Sequence, residues 1–254
     1  MAYTTIDKPN NFFNTMLYTA NGAVRNITEA DTFQADLVWL KRRNAAVSHH
    51  LVDSVRGATK AIYSNATGVE ATDSAGVTGF VANGFSLGAQ GGYNDTGTFV
   101  SWTWKAGTSF TNDASATGIG SIDSAGSASD DSGFSIVSYT GTGSAGTIKH
   151  GLSATANFMI IKNRDATRSW NVYFGDQTKY MYLNDTSAQA DAGTIIWNNT
   201  APTSSVFSIG TDNGVNQSGE KYIAYIFVEK QGYSKFGSYT GNGNADGNFI
   251  YLGF

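Results

Sequence analysis

The chain has 254 residues, of which 14% are charged and 13% aromatic, and its formal net charge is −4. This mild acidity argues against a nucleic-acid binder, which normally presents a basic face. The sequence contains no cysteine, which excludes disulfides, zinc–thiolate sites and thiol nucleophiles.

The N-terminal residues, MAYTTIDKPNNFFNT, lack the apolar run of a signal peptide. We therefore expect synthesis in a cytoplasm, without export by an N-terminal secretion route. No stretch approaches the roughly 18 apolar residues that a membrane span requires. The sequence thus predicts no membrane insertion.

Three stretches share the word Tyr-Thr-x-x-Gly, which begins at Tyr18, Tyr139 and Tyr239. The second copy includes the spacing G-x-G-x-x-G over residues 141–146, which matches the dinucleotide-binding fingerprint. That fingerprint binds a pyrophosphate only where a helix follows. The next residues, TIKHGLSATANF, carry no apolar stripe of helical period, and the glycine spacing differs among the copies. We interpret these glycines as turn residues and predict no cofactor.

Further words repeat in one order, at offsets between 120 and 123 residues. LVWLKRRNA at residue 37 matches MIIKNRDA at 159, and GFSLG at 84 matches VFSIG at 206. Apolar strands follow NDTG at 94 and NQSG at 216. A conserved order of words is the signature of a tandem duplication, with the opening word of a third copy at the end.

Short apolar runs between clusters of Gly, Asn, Ser and Thr are typical of an all-β sandwich or barrel. Val100, Trp102 and Trp104 alternate with polar or aromatic neighbours, and we interpret these three as the core-facing side of their strand. Only residues 27–36 and 53–63 are compatible with short helices. Lys41 and Lys162 follow buried strands, so we expect their amines to reach the surface.

Composition suggests how the chain is divided. We predict a first β-sandwich module over residues 1–106, and a Gly/Ser/Asp-rich linker over 107–132, a segment with few large apolar side chains. A second module follows over 133–235. Residues 236–254 form a partial third repeat, which we expect to pack on the second module or on a neighbouring chain because an isolated hairpin is marginal in water.

Several words resemble a family of virion proteins from tailed bacteriophages, particularly phages of marine bacteria. The resemblance covers nearly the whole chain and includes LVDSVRGATKAIYSN, VSWTWKAGTSFTNDASATGIGSIDSAG and IAYIFVEKQGYSKFGSYTGNGNADG. It implies tail, fibre or other virion structural proteins whose repeats are lectin-like jelly-roll sandwiches of concanavalin or laminin-G type. It implies no catalytic residues. Longer relatives continue with further copies of the repeat.

Reactive side chains give little support for catalysis. The repeat places Trp170 and Asn171 opposite His49 and His50, so a hydrolytic triad would exist in one copy only. We expect His150, in a turn, to be solvated. Carboxylates fall mostly in turns, without the pair that glycoside hydrolysis requires. We predict no catalytic residue and no metal site, and we interpret residues 212–216 as an ordinary turn rather than a calcium loop.

Two side chains are the candidates for ligand binding. Trp170 and Trp197 have polar neighbours, so we predict that their faces stack on a glycan, while Trp39 belongs to an apolar run and is interpreted as core. Asp53 and Arg56, three residues apart, are predicted to form a local ion pair.

The sequence therefore predicts a non-enzymatic bacteriophage virion structural protein, a tail fibre or receptor-binding component that contacts a host-cell surface glycan. It would lie on the phage tail or capsid exterior among other virion proteins. A homo-oligomer is expected, with a trimer favoured, because several weak sites gain avidity. The alternatives are a capsid decoration or head-fibre protein and a glycan-cleaving tail spike enzyme.

Overall fold

The computed structural model describes residues 4–30 and 32–253, and within them the chain is all-β apart from one short 3-10 turn and two four-residue helices. The predicted ranges 1–106 and 236–254 also include residues 1–3, 31 and 254, which lie outside the described residues. The strands of the first half (residues 4–106) are β1 Phe13–Thr19, β2 Arg25–Thr28, β3 Leu37–Arg42, β4 His50–Asp53, β5 Lys60–Tyr63, β6 Ala71–Thr72, β7 Val77–Val81, β8 Gly84–Leu87 and β9 Thr98–Trp104. The elements of the second half (residues 107–235) are β10 Thr108–Asn112, α1 Ala114–Thr117, β11 Ser124–Ser129, β12 Phe134–Thr140, β13 Gly146–Lys149, β14 Phe158–Asn163, β15 Asn171–Tyr173, β16 Lys179–Tyr182, β17 Ala190–Asp191, β18 Val206–Ile209, α2 Asn213–Asn216 and β19 Lys221–Phe227.

Two large antiparallel sheets dominate the molecule. The first sheet has the order β1-β9-β3-β4-β5-β6, and the second has the order β10-β11-β12-β19-β14-β15-β16-β17. Two small sheets, β2-β8-β7 and β13-β18, accompany them. If β10 and β11 are set aside, corresponding strands occupy corresponding places in the two large sheets.

Three apolar cores lie between these sheets, which are stacked as layers. One core lies between the first sheet and β2-β8-β7, and includes Val38, Phe85 and Phe99. Another lies between the second sheet and β13-β18, and includes Phe207. The third joins the two large sheets through residues such as Leu37, Leu51, Ile62, Ile136, Ile160 and Tyr225. Both large sheets are therefore covered over much of both faces, which explains their nearly continuous apolar runs.

The face assignment of β9 is the reverse of the predicted one. Phe99, Ser101 and Thr103 are buried on the side of the first core, whereas Trp102 and Trp104 are only half-buried on the opposite face. The period-2 pattern is present, but the large aromatic side chains lie towards the junction of the two halves.

A buried ion cluster also crosses this junction. Arg56 donates Nε to Asp53 at 2.5 Å, which confirms the predicted local pair, and Tyr225 donates its hydroxyl to the same carboxylate at 2.7 Å. Glu70 accepts from Arg56 at 3.2 Å and from Arg164 at 2.9 and 3.0 Å. Burial disfavours the charged guanidinium, but Asp53 and the other partners hold the pKa of Arg56 above its ordinary value.

The two corresponding lysines differ in burial. Lys162 is fully buried and donates Nζ to the carbonyl of Asn163 at 2.6 Å, so the prediction that it reaches the surface is wrong. Burial lowers the pKa of Lys162 to about 8. Lys41 is half-buried and donates to the carbonyls of Ala45 and Val47 at 3.1 and 2.8 Å.

Residues 107–132 are not a linker. They form β10, α1 and β11, and β11 pairs with β12 along its whole length, from Ser124 opposite Tyr139 to Ser129 opposite Phe134. Small side chains suit this close pairing, since a Cβ on Gly126 would lie 2.2 Å from the carbonyl oxygen of Ile136. Backbone hydrogen bonds order the segment although it has few large apolar side chains, and composition cannot reveal such bonds.

The two stretches compatible with short helices form none in their described residues. Residues 27–30 and 32–36 contain the end of β2 and irregular backbone, and residues 53–63 contain a turn followed by β5. Because polar turn residues separate the apolar ones in both stretches, local sequence cannot distinguish a helical turn from a strand connection.

The Tyr-Thr-x-x-Gly word is a strand followed by a tight turn in its first two copies. Gly22 and Gly143 adopt φ of 65° and 77°. The residues from Gly146 onwards form β13 rather than a helix, which removes the structural basis for a pyrophosphate site. Tyr18 and Tyr139 donate their hydroxyls to the carbonyls of residues 93 and 215, at 2.8 and 2.7 Å.

Candidate functional site

The two tryptophans predicted to bind a glycan are buried. Trp170 is 0% and Trp197 1% exposed, and neither indole presents a face to solvent. Trp170 donates Nε1 to the carbonyls of Tyr63 and Ala66 at 3.1 and 3.0 Å, and Trp197 donates to Lys179 at 2.9 Å. The prediction is therefore wrong: polar neighbours in sequence do not expose a large aromatic ring whose N–H finds a buried carbonyl.

The neighbours of these tryptophans form a polar cavity instead. This polar pocket has a volume of about 460 Å³ and lies at one end of the second half. It is lined by Arg168, Ser169, Asn171, Tyr182, Ile195, Thr211, Asp212, Asn213 and Gly214.

Paired strands and one capped helix position the lining side chains. Asn171 lies opposite Tyr182 in the ladder between β15 and β16. Asp212 caps α2, since its Oδ1 accepts from the backbone N–H of Gly214 at 2.7 Å. The backbone N–H of Asp212 donates to the carbonyl of Ile195 at 2.8 Å, which fixes the loop before α2 against the opposite wall.

Asn171 carries an unpartnered polar atom at this pocket. The residue is 2% exposed, and its buried Oδ1 accepts no hydrogen bond from the described residues. A buried acceptor without a partner costs about 1–3 kcal/mol.

Gly214 allows the backbone of α2 to lie close to the side chain of Asn171. A Cβ at this position would lie 2.5 Å from Nδ2 of Asn171 and 2.9 Å from Oδ1 of Asp212. Any larger residue would displace Asn171 or break the cap of α2. The close approach of backbone to the asparagine amide thus requires glycine here.

The pocket combines opposite charges with neutral polar groups and an apolar edge. Arg168 is exposed at one side, Asp212 provides the one carboxylate among the lining residues, and Ile195 is 50% exposed. Burial and the neighbouring Tyr180 raise the pKa of Tyr182 to about 12, so its hydroxyl remains a neutral donor and acceptor. Such a combination of side chains can bind a ligand that carries both hydroxyl groups and an apolar ring face.

The first half has a related arrangement at the corresponding position. His50 lies opposite Tyr63 between β4 and β5, and its buried Nδ1 has no partner among the described residues. The ring packs 4.0 Å from that of Tyr93, between centroids. Burial lowers the pKa of His50 to about 4, opposed in part by the carboxylate of Asp73. The ring is therefore neutral near pH 7.

The remaining histidines have different surroundings. His49 is partly exposed. His150 is fully buried rather than solvated, because Nε2 lies 3.2 Å from the carbonyl of Thr203 and Nδ1 accepts from the N–H of Leu152 at 3.2 Å. Burial lowers the pKa of His150. These two bonds give it a structural role.

A second concave surface lies at the junction of the halves. This aromatic cleft has a volume of about 380 Å³. Its lining is mostly aromatic and aliphatic: Phe13, Trp39, Trp104, Ser132, Gly133, Phe134, Phe158, Ile160, Leu183, Phe227, Val228, Tyr233, Ser234 and Phe236. Trp39 and Trp104, interpreted from sequence as core, are half-buried here.

Charged clusters give no metal centre in the described part of the chain. No group of three or more His, Cys, Asp or Glu side chains lies close enough to hold a metal ion there. Residues 212–216, considered as a calcium loop, form the capped helix α2. Over the same described residues, every helix is too short to cross a bilayer.

Comparison with known proteins identifies a family but no characterised relative. A family model described as a domain of unknown function (DUF7483) matches residues 8–254. No curated protein and no solved structure matches the chain.

Proposed function

The chain belongs to the DUF7483 family, whose function is unknown, and from this premise we propose that it is a non-enzymatic, glycan-binding structural protein of a bacteriophage virion. One observation carries the binding part of this proposal. The buried Oδ1 of Asn171 lacks a partner among the described residues, and Asn171 lines the polar pocket.

The chemistry of the polar pocket fits a sugar better than an ion or an apolar ligand. A sugar hydroxyl can donate to Asn171, and Asp212 and Arg168 offer an acceptor and a donor at the rim. The exposed side chain of Ile195 provides an apolar surface for the C–H face of a ring. Glycoside hydrolysis requires two carboxyl groups roughly 5–10 Å apart, whereas the lining residues include Asp212 alone. The geometry therefore favours binding over cleavage.

The proposed architecture is two tandem β-sandwich modules of the lectin-like jelly-roll type, with a partial third repeat. The common order of corresponding strands in the two large sheets supports the duplication. The virion assignment depends on the resemblance of the sequence words to tailed-phage proteins. A tail fibre or receptor-binding component would act as a homo-oligomer, with a trimer favoured, because linked weak sites bind a cell surface more tightly than one.

Binding of host polysaccharide to purified protein tests the site. Arg168→Ala and Ile195→Ser change exposed side chains, so both variants should fold. Each is expected to weaken binding by about tenfold, which corresponds to about 1.4 kcal/mol. Val69→Ser, which also removes an exposed apolar side chain, is the matched control and should bind like the parent. Absence of binding, or equal binding by all four proteins, would contradict the proposed site.

Two further measurements separate the alternatives. Labelled antibody against the chain should bind the tails of intact virions, whereas labelling of capsids would indicate a decoration or head-fibre protein. Release of reducing sugar from the bound polysaccharide would establish a glycan-cleaving enzyme and overturn the non-enzymatic assignment.

A further inference from the structure

The C-terminal segment (residues 237–253) exposes an unusual amount of apolar surface. It contains no helix or strand, and Tyr239, Phe249 and Tyr251 are 70%, 89% and 75% exposed. Five of the nine exposed large apolar side chains in the described residues lie in this segment. Such a concentration is typical of a surface that a partner covers.

The third Tyr-Thr-x-x-Gly word lacks the partners that bury the first two. The ring of Tyr18 stacks on Phe99 at 5.1 Å between centroids, and the ring of Tyr139 stacks on Tyr222 at the same separation. Tyr239 has no such ring contact among the described residues and is largely exposed. The segment therefore carries apolar side chains like those of a packed strand, but these side chains are not packed against the rest of the chain.

The aromatic cleft offers a complementary surface at the point where this segment begins. Phe236 lies in the cleft, where its ring stacks on Phe158 at 5.3 Å and contacts Phe227 at 5.8 Å. The cleft volume of about 380 Å³ is within the range of cavities that bind small apolar ligands or anchoring side chains.

The segment does not fill the cleft of its own chain. Tyr251 and Leu252 lie beside the turn around residues 229–235, on another cavity, and both side chains remain at least 45% exposed there. The apolar cleft and the apolar segment of one molecule are thus both left uncovered.

We propose that the C-terminal segment of one copy docks into the aromatic cleft of a second copy, with Phe249 and Tyr251 as anchors. Donor and acceptor surfaces differ, so the contact is heterologous, and it produces a closed ring or an open chain. The contact adds an interface to the proposed oligomer and does not depend on glycan binding, because no polar-pocket residue lines the aromatic cleft.

Mass measurement across a concentration series tests the contact with the full chain. The parent should assemble as concentration rises. Phe249→Ser/Tyr251→Ser should weaken assembly by about tenfold or more, as loss of central anchors does. Leu17→Ser/Val24→Ser, which removes two exposed apolar side chains elsewhere, is the matched control and should assemble like the parent.

Mixing two defective variants tests the direction of docking. Leu183→Glu places a charge in the cleft and leaves the segment intact; circular dichroism would check that it folds. Neither this variant nor Phe249→Ser/Tyr251→Ser should assemble alone, but a mixture should form a one-to-one pair through the single intact combination. A monomeric parent at every concentration, unchanged assembly of the Phe249/Tyr251 variant, or a mixture that stays monomeric would overturn the proposal.

Discussion

The two halves of the molecule keep one backbone plan and differ in what surrounds it. Asn94 and Asn216 make the same bonds in each: Nδ2 donates to the carbonyl of Gly88 or Gly210, and Oδ1 accepts from the N–H of residue 21 or 142. These bonds hold the turns that follow β1 and β12. The repeated words therefore record a buried hydrogen-bond network rather than a ligand site.

The differences lie where each half meets other parts of the chain. β10 and β11 extend the second sheet beyond β12, while β1 remains an edge strand of the first sheet. At corresponding positions, Lys162 is fully buried and Lys41 is not, and Asn171 faces an open polar pocket where the first half has His50 packed against Tyr93. The internal network is thus common to the two halves, whereas their surfaces differ.

Among the changes that test this comparison, Arg56→Met should have the largest effect on the free energy of unfolding, because Arg56 lies in the ion cluster between the halves. Loss of the guanidinium leaves the buried carboxylate of Asp53 without its cation, which should reduce the free energy of unfolding by about 3–5 kcal/mol. Arg42→Met, which removes a pair with Asp95 at 3.7 Å near the surface, is the control and should cost about 1 kcal/mol or less. If urea denaturation gave equal losses of unfolding free energy for Arg56→Met and Arg42→Met, the cluster would not couple the halves.

Lys162→Met tests the effect of burying one of the two corresponding lysines. Below pH 8 the lysine is protonated in both states, and the cost of burying its charge is fully present. Between about pH 8 and 10.5 the folded state releases the proton while the unfolded state keeps it, so the free energy of unfolding rises with pH. At pH 7 the variant should be more stable than the parent by about 1–3 kcal/mol.

The same variant should show less increase in stability than the parent from pH 8 to 10.5. Lys41→Met is the matched control; it loses two hydrogen bonds to backbone carbonyls and should not gain stability at pH 7. Identical pH profiles for parent and Lys162→Met would refute the assignment of this slope to Lys162.

Tyrosine-to-phenylalanine changes at the three repeated words should have the smallest effects. Tyr18→Phe and Tyr139→Phe each leave a carbonyl without its hydroxyl donor, and each should lower the free energy of unfolding by about 1–2 kcal/mol. Tyr239→Phe should have no measurable effect, because this ring is 70% exposed. Chemical denaturation of the three variants checks the series, and a clear loss in Tyr239→Phe would contradict the unpacked third word.

Several features were predictable from local patterns. The all-β class, the turn role of the repeated glycines and the Asp53–Arg56 pair follow from spacing and residue type, and the structure agrees with each. The polar pocket is close to the predicted site in sequence, because its lining residue Asn171 directly follows Trp170. The candidate site was therefore one residue away from the predicted one.

Sequence by itself determined the all-β class, the turn role of the repeated glycines and the order of the repeated words, because these depend on neighbouring residues and on backbone conformation. Only the tertiary structure decided which side of each strand is covered. A period of two shows that Trp102 and Trp104 share a face opposite to Phe99, but burial depends on which distant sheet packs there. The same reason explains the buried Trp170, because the carbonyls of Tyr63 and Ala66 that accept from its indole lie far along the chain.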